Sequence, residues 1–486
     1  MCGIVGYAGN VETACGKPLE VCLQGLERLE YRGYDSAGVA LTASGMDKVT
    51  VRKKAGRLKN LVEDIECKPM PLATVGIGHT RWATNGEPSD VNAHPHTSMD
   101  GKVAIIHNGI IENASQLRLD LQAEGYRFAS ATDTEVAAKL LGKIVDKIIA
   151  EEGKPNLFKA VRRMARMLEG AFTILATDCR QPDIVVGARH DSPLVVGLGD
   201  GENFLGSDVA AFVAYTKRAM EVDQDQAVCV SADKVIVTDF DGNVIENPKT
   251  YTVDWDASAA EKGGWDSFMD KEIHEDPAAV QRTLLGRFDP NGDITLDEVR
   301  IDQHDFKAID KIIVVACGTA SYAGQVAKYA IEHWVRIPVE IELAHEFRYR
   351  DPILTPRTLV VAISQSGETM DTLMALRHAR EQGSKVLAIC NTQGASIPRE
   401  SDAVLYTHAG PEVAVASTKA FVAQITAAYL LGLYLAQVKG AMFRDEIHQV
   451  LDSLKDMPRK IQWVLDTQPK TIQAAAERMV NANSFL

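Results

Sequence analysis

Four short apolar runs in the second half of the chain most strongly limit the fold. Stretches compatible with helices separate these runs, which are Lys311–Ala316, Thr358–Ile363, Val386–Cys390 and Ala403–Tyr406. Strands that are apolar along their whole length are typical of a parallel sheet covered by helices on both faces. The pattern therefore predicts a doubly wound parallel α/β domain over residues 301–440.

The first half of the chain has a different pattern, with short apolar runs bounded by Gly, Asp and Asn. Such runs read as strands, whereas Thr134–Val145 has apolar residues at helical spacing. The sequence therefore predicts a separate, β-rich α/β domain over residues 1–250. The polar and acidic residues 251–300 are predicted to be a linker.

The last segment, residues 441–486, is predicted to be helical, with a helix at Thr471–Val480 and the start of a strand at Asn483–Leu486. A buried strand without its following loop leaves a sheet incomplete. The sequence is therefore expected to be a fragment of a longer protein, and this last segment to be the start of a further domain.

Charge and composition exclude several classes of function. The net charge of −14 argues against nucleic-acid binding, because phosphate backbones need a basic surface. No signal peptide is visible, and the apolar stretch Ala420–Val438 is predicted to be a buried core helix of a protein that does not enter a membrane. The eight cysteines form no C-x-x-C pair, which argues against a zinc ribbon or a thioredoxin-like site. Cysteine this sparse in a long chain fits a reducing compartment. The expected location is the cytoplasm.

Cys2 follows the initiator methionine, Met1. Removal of Met1 would leave Cys2 with both a thiol and a free α-amine. A thiolate attacks carbonyl groups well, and an α-amine with a pKa of about 8 can accept the thiol proton. Cys2 could therefore be a nucleophile that carries its own base. The alternative is that a cysteine stands at this position by chance.

Several further motifs follow in the same order as in a known family. The chain resembles the N-terminal-nucleophile glutamine amidotransferases in Cys2-Gly3-Ile4-Val5-Gly6, Tyr31-Arg32-Gly33-Tyr34-Asp35-Ser36-Ala37-Gly38, His79-Thr80-Arg81-Trp82, His107-Asn108-Gly109 and Thr132-Asp133-Thr134-Glu135. The resemblance implies an αββα sandwich in which Cys2 attacks the side-chain amide of glutamine.

The same resemblance implies roles for other residues. Asn108 and Gly109 would form the oxyanion hole, and Trp82 would close the ammonia path. The glutamine-binding residues would be Arg81, Thr84, His94 and Asp133. Asn85 departs from the family, whose members often have His there.

Each of these residues also has a simpler interpretation. Asp133 could merely cap a helix that begins at Thr134. Asn108-Gly109 could be a hairpin turn, and Arg81 could be a solvated surface charge.

The histidines of this half do not predict a metal site. His94 and His96 flank Pro95, and His79 and His107 lie in the same region, but no carboxylate or thiolate recurs at ligand spacing. No phosphate-binding G-x-x-x-x-G-K-[ST] motif is present. The sequence predicts neither a metal nor another cofactor.

Small hydroxyl residues follow the predicted parallel strands. Ser364-Gln365-Ser366-Gly367-Glu368-Thr369 comes between a strand and a helix, Cys317-Gly318-Thr319 follows the first strand, and Ser417-Thr418-Lys419 opens the last helix. Hydroxyls and backbone amides at a helix N-terminus can bind an anion, and ligands of parallel sheets bind beyond the carboxyl ends of the strands. The alternative is simple helix capping.

These segments resemble the sugar isomerase (SIS) domain. The resemblance implies that Ser364, Gln365, Ser366 and Thr369 hold a sugar phosphate, and that Thr319, Val415 and Ser417 contact the sugar. Ala320 departs from the family, which often has Ser there, so one hydroxyl contact is missing.

The combination of the two families implies one activity. The enzyme would hydrolyse L-glutamine at Cys2 and transfer the ammonia to fructose 6-phosphate, giving glutamate and glucosamine 6-phosphate, the first step of hexosamine synthesis. The family carries its isomerase residues on a second SIS domain, so this chain is expected to keep only glutamine hydrolysis and sugar-phosphate binding and to lack the synthase activity. The full-length protein is expected to be a homodimer.

Two other functions remain open from the sequence. A phosphoribosyl amidotransferase shares the first domain, but its acidic diphosphate-ribose loop is not found. A non-enzymatic sugar-phosphate sensor would explain the second domain, but it would have no need of the Cys2 motifs.

Overall fold

The computed structural model describes residues 2–10, 16–83, 86–253, 263–296, 298–414 and 416–484. The chain divides into two compact units, Met1–Glu261 (unit 1) and Lys262–Leu486 (unit 2).

Unit 1 contains two antiparallel sheets. The first has the strand order β14-β11-β9-β10-β1-β4-β2-β3 and the second the order β13-β12-β8-β7-β6-β5. The strands are β1 (Gly3–Gly9), β2 (Ser36–Thr42), β3 (Thr50–Ala55), β4 (Val75–Arg81), β5 (His96–Thr97), β6 (Val103–Gly109), β7 (Phe172–Asp178), β8 (Gln181–His190), β9 (Val195–Leu198), β10 (Glu202–Gly206), β11 (Arg218–Glu221), β12 (Gln226–Val230), β13 (Val235–Asp239) and β14 (Thr250–Thr252).

The helices of unit 1 cover the outer faces of the two sheets. They are α1 (Lys17–Leu29), α2 (Leu58–Cys67), α3 (Ala114–Ala123), α4 (Asp133–Glu152) and α5 (Leu157–Ala165). One apolar cluster, which includes Ile77 and Leu175, lies between the sheets. Two others join the first sheet to α1 and α2 and the second sheet to α4 and α5. These four layers confirm the predicted αββα sandwich.

Unit 2 contains one parallel sheet of five strands in the order β16-β15-β17-β18-β19. The strands are β15 (Lys311–Ala316), β16 (Val339–Leu343), β17 (Thr358–Ser364), β18 (Lys385–Cys390) and β19 (Ala403–Tyr406). The strand order reverses between β15 and β17, and ligands of doubly wound folds bind at such a switch point.

Helices cover both faces of this sheet, as the apolar strands predict. The helices of unit 2 are α6 (Phe268–His274), α7 (Asp276–Leu284), α8 (Gln303–Ala308), α9 (Thr319–Val335), α10 (Ala344–Arg350), α11 (Met370–Glu381), α12 (Ser396–Glu400), α13 (Lys419–Lys439), α14 (Arg444–Lys455), α15 (Met457–Thr467) and α16 (Pro469–Met479). The side with α9 and α13 holds the larger core, and α10 and α11 pack on the other face.

The long apolar helix α13 is a core helix. In the described part of the chain it is the one helix long and apolar enough to cross a membrane, but 67 % of its apolar window is buried. It packs against α7 and α9, so its apolar residues are accounted for by the core of unit 2.

The interval predicted as a linker is only partly extended. Residues 268–284 of it form α6 and α7, and Val280 and Leu284 are buried in the core of unit 2. The polar composition concealed these helices because they bury only one side. The predicted strand start at Asn483–Leu486 lies partly outside the described residues, and Asn483 and Ser484 are not in a strand. The predicted domain boundaries remain predictions.

Candidate functional site

Cys2 lies at the start of β1, a central strand of the first sheet. The backbone N–H of Trp82 donates to its Sγ at 3.2 Å. Desolvation raises the pKa of the Cys2 thiol, while the Trp82 N–H and the charge of Arg81 act in the opposite direction. The thiol is therefore protonated near neutral pH and needs a base to become a nucleophile.

Asn108 and Gly109 end the strand β6 beside Cys2. The Asn108 Nδ2 donates to the backbone oxygen of Cys2 at 2.8 Å. Both residues pair with β7, as Asn108 with Thr173 and Gly109 with Phe172, so they are not a hairpin turn. Gly109 has a φ of 120°, and a Cβ there would lie 2.0 Å from the backbone oxygen of Ala171. Only glycine fits at this position.

His79 fixes the orientation of the Asn108 amide. Its Nε2 lies 3.1 Å from the Asn108 Oδ1 and 3.0 Å from the His107 carbonyl oxygen. Both partners are acceptors, so Nε2 carries the proton. The Asn108 oxygen then points to His79 and its NH₂ group points to Cys2.

Arg81 and Asp133 are both buried, with 4 % and 8 % of their surface exposed. Arg81 is therefore not a solvated surface charge, and its Nη2 donates to the Gly86 carbonyl at 3.0 Å. The Asp133 carboxylate accepts from the Ile111 N–H at 3.0 Å. The residue that caps α4 is Thr132, so the simpler interpretation of Asp133 as the cap is wrong.

The segment around Gly33 and Asp35 holds the end of β4 in place. Asp35 accepts from the Ala83 N–H at 2.8 Å, and its own N–H donates to the Arg81 carbonyl at 3.0 Å. A Cβ on Gly33 would lie 2.6 Å from the Arg81 carbonyl carbon. The sequence motif was evident, but its supporting role was missed because Asp35 meets Ala83 only in the folded chain.

Trp82 is 43 % exposed and packs edge to face on Tyr34, with ring centroids 5.4 Å apart. Its backbone contacts the Cys2 thiol. Its side chain is therefore free to meet solvent or a ligand beside the nucleophile. Thr84 and Asn85 lie outside the described residues.

The four histidines of this region form a buried, neutral layer. The His94 ring lies between those of His79 and His96, with centroids at 4.3 and 5.2 Å. Desolvation lowers the pKa of His79 to about 3 and holds the pKa values of His94 and His96 well below the usual range. Burial also lowers the pKa of His107, whose Nδ1 lies 3.0 Å from the Thr134 hydroxyl.

In unit 2 the hydroxyl residues lie where β17 ends and α11 begins. The Ser364 Oγ is 3.0 Å from the Thr369 Oγ1 and accepts from the Gly367 N–H at 3.1 Å. The Ser366 Oγ accepts from the Glu368 N–H at 3.2 Å. Thr369 occupies the N-cap position of α11 but makes no side-chain cap bond, so helix capping does not explain it. Gln365 is half-buried between them.

Thr319 and Ser417 begin two other helical segments of unit 2. Thr319 is exposed at the first turn of α9, and the preceding Gly318 makes no cap bond. The Ser417 Oγ lies 3.4 Å from Glu412. The β15 and β17 ends that carry Thr319 and Ser364 are neighbours in the sheet. Val415 lies outside the described residues.

Two buried carboxylates that the sequence did not single out hold the loop before α13. Glu412 accepts from the N–H groups of Thr418 and Ala420. Glu272, from α6, accepts from those of Val413 and Ala414. Desolvation raises the pKa of both carboxyls. Glu272 and Val413 are 141 residues apart in the chain, so no local motif marks their contact.

Comparison with known proteins matches each unit to a family. Residues 79–214 match a glutamine amidotransferase domain and residues 306–434 a SIS domain. Fold and sites together thus define a glutamine amidotransferase joined to a sugar-isomerase domain.

The whole chain also matches curated proteins. It is 60 % identical to a glutamine–fructose-6-phosphate aminotransferase (isomerizing) of Corynebacterium diphtheriae and 58 % identical to one of Streptomyces coelicolor; both matches cover 100 % of this chain and 77 % of the relative. The chain belongs to the glutamine–fructose-6-phosphate aminotransferase family.

A solved structure is similar to part of the chain. The C-terminal domain of glucosamine-fructose-6-phosphate aminotransferase from Francisella tularensis is 37 % identical over 46 % of this chain and 62 % of its own, with a TM-score of 0.44. The curated relatives confirm the predicted family.

Proposed function

We propose that this chain hydrolyses L-glutamine at Cys2 and binds fructose 6-phosphate at the carboxyl edge of the unit 2 sheet. The enzyme reaction would give glutamate and glucosamine 6-phosphate. The observation that carries the proposal is the placement of Cys2, whose thiol accepts from the Trp82 N–H and whose backbone oxygen accepts from the oriented Asn108 amide. Membership of the aminotransferase family supports the choice of substrates.

The first step uses the α-amine that Cys2 gains when Met1 is removed. This amine accepts the thiol proton, and the thiolate attacks the side-chain amide carbon of glutamine. The oxyanion of the tetrahedral intermediate accepts from the second N–H of the Asn108 Nδ2 and from the Gly109 N–H. When the intermediate collapses, the α-ammonium returns the proton to the leaving nitrogen as ammonia. Water then hydrolyses the thioester to glutamate.

Glutamine would be held by charges already buried beside Cys2. The Arg81 guanidinium suits the substrate α-carboxylate, and Asp133 suits its α-ammonium. Burial lowers the pKa of His94 and keeps its ring neutral. From the family resemblance, His94 and Thr84 would line the same pocket. Trp82, exposed beside the thiol, would close the route by which ammonia leaves.

The sugar phosphate would bind among the hydroxyls of unit 2. Ser364, Gln365, Ser366 and Thr369 would hold the phosphate at the N-terminus of α11, where the helix dipole favours an anion. Thr319, Val415 and Ser417 would contact the sugar. The Ser364–Thr369 pair supports this, because those hydroxyls bond each other and can turn to a ligand without leaving a buried group unpaired.

Two further proposals concern the state of the protein in the cell. We expect a homodimer, because SIS-type folds commonly pair. We expect a cytoplasmic enzyme, because cysteine is sparse in this long chain and the long apolar helix α13 is mostly buried.

The test replaces Cys2 and measures the two activities separately. Cys2→Ala should lower glutamate release by at least about a thousandfold, as loss of an enzyme nucleophile does. Fructose 6-phosphate binding, measured by calorimetry, should stay within about twofold because the variant leaves the sugar site intact. Cys67→Ala, at an exposed cysteine of the same unit, is the control. Residual hydrolysis within about tenfold of the parent, a barrier change of only about 1.4 kcal/mol, would refute the assignment.

A further inference from the structure

Three side chains with metal-binding atoms meet at the carboxyl edge of the unit 2 sheet. Cys317 directly follows β15, His345 lies in α10 after β16, and Asp371 lies in the first turn of α11 after β17. One ligand atom of each lies within 4.8 Å of the other two. Among the residues that the structure describes, no other group of histidine, cysteine and carboxylate side chains meets this condition.

The electrostatics of this cluster suit a cation. The Cys317 sulfur and an Asp371 carboxylate oxygen lie within 4.8 Å of each other. A thiolate and a carboxylate this close repel each other, and a divalent cation between them reverses that effect.

The kinds of ligand atom favour zinc. A thiolate sulfur, an imidazole nitrogen and a carboxylate oxygen are the three ligand types that zinc accepts, in tetrahedral geometry. Calcium and magnesium prefer oxygen ligands alone. The His345 side chain is 48 % exposed and Cys317 is half-buried, so a fourth position is open to water or another ligand.

We propose that Cys317, His345 and Asp371 form a zinc site with one open coordination position. The sequence did not indicate it, because the three residues come from three different strand-to-helix connections and have no ligand spacing. The inference goes beyond the proposed function and does not depend on it. An occupied site would join the connection that carries Thr319 to the one that carries Thr369, so zinc should slow hydrogen exchange in both.

The experiment uses the full chain without a histidine tag, in a reductant that does not bind zinc. Calorimetric titration should show one zinc ion bound per chain. His345→Ala and Asp371→Asn should each weaken binding by at least about tenfold, since even outer-shell partners of a zinc site are worth that much. Both side chains are exposed, so these changes should leave the fold intact. His304→Ala and Asp445→Asn, at exposed residues elsewhere in unit 2, are the matched controls.

Cobalt substitution identifies the ligand atoms. Co²⁺ bound to the parent should give a thiolate-to-cobalt charge-transfer band, and Cys317→Ser should lose that band while Cys67→Ser keeps it. Absence of a charge-transfer band in the parent, or equal zinc affinity in the parent and in both the His345 and Asp371 variants, would overturn the proposal.

Discussion

The two candidate sites differ in how their polar groups are satisfied before any substrate binds. In unit 1, Arg81, Asn108 and Asp133 are buried, and each has a protein partner. In unit 2, Ser366 and Thr369 are only half-buried, and the Thr369 hydroxyl contacts another hydroxyl. The first arrangement is pre-organised to stabilise charge in a transition state. The second can rearrange around an anion.

The direction in which burial shifts the pKa of ionisable groups also differs between the two units. Unit 1 buries a layer of histidines whose pKa values are lowered by desolvation. Unit 2 contains the buried Glu272 and Glu412 and the half-buried Asp276, and desolvation raises their pKa values, that of Asp276 to about 6. In both units burial favours the neutral form, which is the basic form of histidine and the acidic form of a carboxyl group.

A single substitution should cause the largest loss of activity at the pre-organised site of unit 1. Asn108→Ala removes an oxyanion donor, so kcat for glutamine hydrolysis should fall by about 10²–10³ with a small change in KM. Asn60→Ala, at an exposed asparagine of the same unit, is the control. Steady-state glutamate release measures both constants. A fall in kcat below about tenfold would show that Asn108 is not a donor to the oxyanion.

Substitutions at the candidate sugar-phosphate site of unit 2 should have a smaller effect. Ser366→Ala combined with Thr369→Ala should weaken fructose 6-phosphate binding by at least about tenfold, because each hydrogen bond to a charged group is worth roughly 1.5–3 kcal/mol. Glutamine hydrolysis should be unaffected. Calorimetry measures the affinity.

The matched control for this pair is Ser453→Ala with Thr467→Ala, two exposed hydroxyls of unit 2 that each donate to a backbone carbonyl of their own helix. Equal affinity in the test and control variants would mean that the hydroxyls after β17 do not contact the phosphate.

Mild acid should affect the two units in opposite directions. The His79 pKa is about 3 in the folded chain and about 6.5 when unfolded. The contribution of His79 to the free energy of unfolding is therefore complete above pH 6.5. It is lost as the pH falls towards 3, at about 1.4 kcal/mol per pH unit. Because the pKa of Asp276 is raised, the contribution of this residue to the free energy of unfolding is complete below about pH 4. That contribution is lost as the pH rises through about 6.

Hydrogen exchange of the full chain at pH 7 and pH 5, corrected for the intrinsic rates, separates these effects by peptide. Peptides from β4 and β6 should lose protection at pH 5 relative to those from β17 and α13. Equal changes in protection in the two units would contradict the prediction that acid affects their stability in opposite directions.

The parts of the structure that rest on local pattern could be predicted from the sequence. The apolar strands β15, β17, β18 and β19 lie where the alternation of apolar runs and helices placed them, but the edge strand Val339–Leu343 was missed because it is only partly buried. The family motifs identified the neighbourhood of Cys2. The residues that hold the sites in shape were not predicted.

These supporting residues share a physical reason for being missed. Asp35 meets Ala83, Glu272 meets Val413, and Cys317 meets Asp371, each through a contact that exists only in the folded chain. A buried carboxylate that accepts from a distant backbone N–H leaves no periodic or spaced signal in the sequence. Resemblance to a family transfers the reacting residues more readily than the residues that position them.

The most direct test of the account is to find which cysteine reacts with a glutamine analogue that carries an electrophilic ketone in place of the amide. Intact-mass and peptide mass spectrometry of the full chain should show one adduct, on Cys2, in molecules that have lost Met1, and excess glutamine should prevent it. Chains that retain Met1 should stay unlabelled, because their α-amine is no longer on the residue with the thiol. Labelling of another cysteine, or equal labelling of Met1-retaining chains, would contradict the account.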